Sequence, residues 1–393
     1  MTASRLPRAL TQRMQVYGLA LLLAYLLFLG STAWLRLWLI DAEGRPDIRD
    51  FMSFWSAGRM ALEGRAPDAY DWDLQKAVQL LALGQPFDNY FAWHNPPHYF
   101  FYVVPFSLPP YLAGWVLWVV VTLAFFAAML RLVVPGFMVP LLLAAPATLW
   151  CATVGQNGFL TAGLMAGCLM LLERRPLLAG VLLGLLTYKP QFGVLFPPAL
   201  LAGRRWIAFA SAAAVTLLLI GMALAVFGPA TWQAFLGSVD KTNDVLLRGG
   251  SAWTKLQSAY SIAFQLTGSL RVALVTQVSL VLVLAVGVTW LWARPAPFAC
   301  KAAALVAASY LATPYAYIYD APVLSTAAAF LLRDGLERGF GRTAKVVIPL
   351  ALLLPAGFHA LGSLGAFVSA VLLLALAVAR AMEERPILAQ ARA

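Results

Sequence analysis

Nine of the seventeen carboxylates of this chain fall between Asp41 and His98, in the first long stretch that is not apolar. Asp50 follows Arg49 and precedes Phe51, Phe54 and Trp55. A carboxylate there can cap the helix it opens or take a proton from a hydroxyl within hydrogen-bond reach; the residues alone favour the cap. Asp71-Trp72-Asp73 has a spacing that can hold a divalent cation, but Asp71 already has a capping role, which is the better reading. His94 and His98 stand four apart, yet Pro96-Pro97 forbids the helix that would join their rings on a metal. Asn95, biased to an extended shape by Pro96, is the candidate amide of that turn. Further along, Lys189 in Thr187-Tyr188-Lys189-Pro190-Gln191 ends an uncharged run. It has no acidic neighbour in sequence, so a bound anion is a natural partner; a lysine reaching for headgroups is the alternative. Asp320 closes a segment holding Tyr315, Tyr317 and Tyr319, and reads equally as a site acid or a helix cap. Gln156 and Asn157 read first as ordinary turn residues, and Lys255 lies in a later polar loop with Trp232, Trp253 and Gln257.

The elements that must hold these residues are membrane spans. The chain has 393 residues, 62% hydrophobic and 11% charged, with a mean hydropathy of +0.78. Soluble domains carry about 25% charged residues, so the composition implies an all-α polytopic membrane protein. The run from about Met14 to Ile40 is too long for a cleavable signal core and reads as a retained first span. Residues 41–98 then form a large outer loop. Within it, Asp50–Gly64 and Asp71–Gly84 each open on Asp and close on Gly, which predicts two amphipathic helices lying on the outer membrane surface. About twelve spans follow from the alternation of apolar runs and turns over one domain, with 99–380 holding the later spans and 381–393 a cytoplasmic tail. Several runs are shorter than a full crossing and must tilt, thin the bilayer or dip in partway.

The net charge of +11 does not point to nucleic acid. With both termini placed inside, the inner side carries 17 Lys+Arg against 5 Asp+Glu, and the outer side 11 against 12. That asymmetry is the positive-inside bias of a plasma-membrane protein. Three widely spaced cysteines (Cys151, Cys168, Cys300) suggest neither a disulfide framework nor a metal site. There is no phosphate-binding glycine loop, so a reaction at the outer face would draw on a donor other than ATP or a nucleotide sugar. Lipid-linked phosphosugars meet that condition. The competing class is a transporter or flippase for a lipid-linked or anionic substrate, in which Lys189 and Asp320 would line the path. Against it stand the absence of a visible internal repeat and the gathering of acids in one outer loop.

The ordered set Asp50-Phe51-x-x-Phe54-Trp55-x-Ala57-Gly58-Arg59, Tyr70-Asp71, Asn95-Pro96-Pro97, Gly155-Gln156-Asn157, Lys189-Pro190-Gln191, Lys255-Leu256-Gln257-Ser258 and Tyr319-Asp320 resembles the bacterial family 87 glycosyltransferases over roughly residues 50–330. The resemblance implies a GT-C fold and an inverting transfer of mannose from polyprenyl-phosphate-mannose to a lipid or glycan acceptor. It also implies that the first-loop acid, here Asp50, is the catalytic base. One base opposite the leaving group gives inversion, and the leaving phosphate needs a cation. Lys189, with Gln191 beside it, is expected to supply that contact, while Asn95, Gln156, Lys255, Tyr317 and Asp320 are expected around the substrate. No cofactor or metal is called for. Some relatives place His near the late motif; this chain has Tyr317, Tyr319 and Asp320.

Overall fold

In a computed structural model, which describes residues 8–247 and 253–383, the chain is helical nearly throughout; among the described residues there are isolated bridges but no strand. Arg5, Arg385 and Arg392 lie outside the described residues, as does the expected tail beyond Glu383. Helix α1 (Arg8–Trp34) ends earlier than Ile40, because Arg36 and Leu39 adopt positive φ and Trp38 turns away to donate its indole N–H to the Thr153 carbonyl at 3.0 Å. Next come α2 (Phe51–Leu62), α3 (Trp72–Leu83), the half-length α4 (Phe100–Ser107) and the long α5 (Tyr111–Val133). A bent pair, α6 (Val139–Leu143) and α7 (Pro146–Val154), leads to α8 (Gly158–Leu171) and α9 (Pro176–Leu185). After the short α10 (Pro190–Gly193) and α11 (Phe196–Ala202) the chain runs through α12 (Trp206–Leu247), α13 (Ala259–Thr267), α14 (Leu270–Ala293) and α15 (Phe298–Ala312). It closes with α16 (Pro322–Arg338), α17 (Arg342–Leu353), α18 (Phe358–Leu361) and α19 (Leu364–Met382).

Among the described residues six helices are long and apolar enough to cross a bilayer, and the bent pair around Ala144 and Ala145 makes a seventh, with a 64° break. The other expected spans are shorter helices: α8, α9, α10 with α11, α15 and α16. At 1.5 Å per residue, a 14-residue helix such as α8 reaches about 21 Å, against about 30 Å of hydrocarbon. Such helices cross a full layer only by thinning it. Helix α15 is at the centre, with Ala302, Ala303, Ala304, Ala307 and Ala308 almost wholly buried, so that small side chains let neighbouring helices approach closely.

Of the two expected surface helices, α2 departs from expectation and α3 does not. Helix α2 is a core element: Phe51, Met52, Phe54, Ala57 and Met60 are buried, and it packs on α4 and α5. Its polar positions Ser53 and Ser56 are buried as well, because their hydroxyls donate to Ala92 O and Met52 O. Helix α3 lies at the surface with Leu74 and Leu81 outward, the arrangement a helix lying on a membrane surface needs. Gln75 and Gln79 face inward, where Gln75 donates to Ser53 O and Gln79 to Phe91 O. The second expected loop is also partly helical. Helix α12 breaks at Gly228 (φ 78°) before Pro229 and then continues to Leu247, bringing Phe235 against Tyr70 and Trp232 against His98.

At the other end of α16, Asp334 is buried with two cations. It accepts from Arg338 Nε at 2.6 Å and Arg380 Nε at 2.7 Å, and Cys300 Sγ lies 3.3 Å away. This network fastens α15, α16 and α19 together at the end of the bundle remote from the candidate site.

Candidate active site

Three turns at the ends of short helices meet under the first residue of α2. The turn between α7 and α8 brings Gln156 and Asn157, the broken end of α9 brings Lys189, and the turn before α16 brings Asp320. Local chemistry explains each break. Gly155 ends α7 with a positive φ of 69°, and a Cβ there would lie 2.6 Å from the Trp115 indole nitrogen and 2.7 Å from Phe51 Cβ. Gly158 opens α8 so close to the next turn that a Cβ would lie 2.0 Å from Tyr319 O. Only glycine permits this approach from both sides. Pro190 stops the helix that ends at Tyr188, since it can neither continue the hydrogen-bond ladder nor avoid the preceding turn.

Lys189 is 8% exposed and Asp320 fully buried, and they form an ion pair with Nζ 2.5 Å from Oδ1. The same ammonium donates to Asn157 Oδ1 at 2.9 Å and lies 5.2 Å from the Phe192 ring and 5.4 Å from the Tyr319 ring. The acid that Lys189 lacks in sequence is therefore supplied 131 residues later, and the expected exogenous anion is replaced by an internal one. Asp320 does both things its sequence allowed: Oδ1 takes Lys189, and Oδ2 caps the short helical turn Ile318–Asp320 by accepting the Tyr317 backbone N–H at 3.1 Å.

From this pair a chain of hydrogen bonds runs to Asp50. The Asn157 backbone N–H donates to Gln156 Oε1 at 3.3 Å, and Gln156 Nε2 donates to Asp50 Oδ2 at 3.3 Å. With its carbonyl engaged by Asn157, the Gln156 amide presents its N–H to Asp50, and a donor favours the ionised carboxylate. Asp50 makes no side-chain cap on α2, so the ordinary reading of an acid at a helix start does not account for it. By contrast Asp71 caps α3, accepting from Asp73 N and Leu74 N, and Asp73 accepts from the Tyr90 hydroxyl at 2.7 Å, so both acids have structural partners. Burial raises the Asp50 carboxyl above the usual carboxylate range, opposed by the Gln156 hydrogen bond and by the charges of Lys255 and Arg49.

The remaining expected residues divide. Tyr317 stacks on Tyr319 with ring centres 5.1 Å apart, beside the Lys189–Asp320 pair. Lys255 is exposed on the short turn Trp253–Lys255, which is joined to the same segment: Leu256 bridges to Tyr317 and Gln257 N donates to Ala316 O at 2.6 Å. Asn95 is half-buried and receives the Tyr70 hydroxyl on its backbone carbonyl at 2.8 Å; among the described residues no hydrogen bond joins its amide to the cluster. Gln191 contributes its backbone carbonyl, which Thr313 Oγ1 contacts at 3.4 Å. Asn157, which the residues alone suggested was a plain turn residue, is 3% exposed and links Lys189 to Gln156. Its uncharged neighbours gave no signal for this; only the pairing with a lysine 32 residues away reveals it.

Aromatic rings close the cluster from the loop side. Tyr99 stacks on Tyr188 at 4.4 Å, and Tyr188 shares a 2.7 Å hydroxyl contact with Thr161, which itself donates to Asn157 O. His98, buried against Trp232, has its pKa lowered to about 4 by burial and is neutral under ordinary conditions.

The family model for glycosyltransferase family 87 matches residues 93–314. That span contains Asn95, Gln156, Lys189, Gln191 and Lys255, with Asp50 before it and Tyr317 and Asp320 after it. No curated protein and no solved structure matches the chain.

Proposed function

The chain belongs to glycosyltransferase family 87, and on that premise we propose that it is an inverting GT-C enzyme. It moves a hexose, mannose by preference, from a polyprenyl-phosphate donor to a lipid or glycan acceptor at the outer face of the plasma membrane. The observation that carries this reading is the uncapped Asp50 carboxylate held by Gln156 above the Lys189–Asp320 pair. Asp50 is the base. The acceptor hydroxyl oxygen bonds to the anomeric carbon as its proton passes to Asp50, while the bond from that carbon to the phosphate oxygen breaks and the phosphate leaves with the electron pair. The phosphate is a stable anion and needs no strong acid. Attack from the side opposite the leaving group inverts the anomeric centre. Gln156 engages Oδ2 of the base, leaving Oδ1 for the hydroxyl. The stacked Tyr317 and Tyr319 offer an aromatic wall to the sugar, and Asn95 and Gln191 supply polar contacts at its edges.

The test is to incubate purified protein with polyprenyl-phosphate-mannose and a panel of lipid acceptors, reading product linkage by NMR. Wild type forms an inverted glycoside. Asp50→Asn keeps donor binding and loses about 10²-fold or more in kcat, as expected when a general base is removed. Full turnover by the Asn variant would refute the role given to Asp50.

A further inference from the structure

The leaving phosphate needs a positive group, and the cations around Asp50 are not equally free to provide one. Arg49 is bound to Asp47, with Nη2 2.6 Å from Oδ2. Lys189 is buried, paired with Asp320 and bonded to Asn157. Drawing Lys189 onto a substrate phosphate would strand the Asp320 carboxylate with no exposed surface, and an uncompensated buried charge is strongly destabilising. Lys255 differs from both: it is exposed and forms no ion pair with any of the described residues.

The backbone that carries Lys255 is nevertheless fixed on two sides. Trp253 stacks on Phe264 at 4.0 Å. Gln257, two residues on, donates its backbone N–H to Ala316 O, donates its side chain to Gly362 O at 2.9 Å and accepts Ala366 N at 3.0 Å. The Leu256–Tyr317 bridge sets this turn against the segment whose far end, Asp320, holds Lys189. A long mobile stem with three donors thus hangs from a rigid root beside the cluster, an arrangement suited to a compact anion. Its charge also acts on Asp50.

We infer that Lys255 is the cation that meets the donor's phosphate, and that the Lys189–Asp320 pair is a fixed strut that positions Asn157 and Gln156. This assignment rests on the transferase reading and refines it. As the sugar–phosphate bond breaks, the negative charge on the phosphate grows, and Lys255 stabilises it where it accumulates. Lys189 then acts on the reaction only through the turn it holds.

The experiment compares farnesyl phosphate with farnesol as ligands of the purified full chain, at low and high salt. Tryptophan fluorescence reads binding, and transfer is assayed in parallel. Wild type prefers the phosphate by about tenfold or more, as a charge-assisted hydrogen bond gives, and salt weakens that preference because the lysine is exposed. Lys255→Met abolishes both the preference and its salt dependence at unchanged thermal stability, whereas Lys255→Arg restores them. A Lys255→Met protein that keeps the wild-type phosphate preference overturns the inference. Failure of the transferase reading has a separate signature, namely the absence of product from wild type in the parallel assay.

Discussion

Asp50 is partly buried, and as a base it has to remain an anion there. Burial pushes its carboxyl above the usual range, and Gln156, Lys255 and Arg49 pull it back. A general base works only when ionised, so the rate rises with pH through that elevated pKa. Removing the Gln156 donor withdraws a stabiliser of the anion, and the acidic limb must then move to higher pH. For Gln156→Ala we expect a shift of about one unit, measured as kcat/KM against pH; a limb that stays put or moves to lower pH would show that Gln156 does not tune the base. What was readable here was residue type: an acid in the first loop, a lysine at a broken helix, an acid among tyrosines. Partnership was not readable. Lys189 meets Asp320 across 131 positions and Asn157 across 32, and no local pattern encodes a contact made by folding.

Two glycines decide whether the elements can bring those residues together. The turn from α7 to α8 is wedged between Phe51 and Trp115 on one side and the Tyr319 carbonyl on the other, and Gly158 touches the latter. Adding one methyl group at Gly158 forces backbone against backbone, for which overpacking costs about 1–3 kcal/mol, and it displaces Asn157 from Lys189. Gly158→Ala should therefore lower both thermal stability and transfer. Gly193→Ala, where a Cβ meets nothing within 4 Å, should leave both near wild type. Equal behaviour of the two variants would mean that the close approach is not needed. Helix ends were legible, because Asp71 and Gly84 bracket α3 where capping chemistry expects them. Which face a helix buries was not. Two glutamines occupy the inner side of α3 because they satisfy the Ser53 and Phe91 carbonyls and the Trp93 N–H, a demand invisible until the loop is folded.

The whole chain must still be oriented, and the transferase reading requires the α2–α3 end to face outward. Hydropathy and the basic turns together supplied the order of the apolar elements, yet length alone gives six crossing helices and a bent seventh, so the short ones contribute depth without a full crossing. Their turns bring Gln156, Lys189 and Asp320 together beside Asp50, joined by one run of hydrogen bonds. On that reading we propose that charge sets the direction: Arg174, Arg175, Arg204 and Arg205 follow α8 and α11 at the ends opposite the cluster, and the positive-inside rule would hold them in the cytoplasm. All three native cysteines are buried, so single introduced thiols can be read against a quiet background. In intact cells a membrane-impermeant maleimide should label Glu43→Cys, at an exposed site near Asp50, and should reach Arg174→Cys only after permeabilisation. The reverse pattern would put Asp50 in the cytoplasm, where nucleotide sugars are available and the argument for a lipid-linked donor would lose its force.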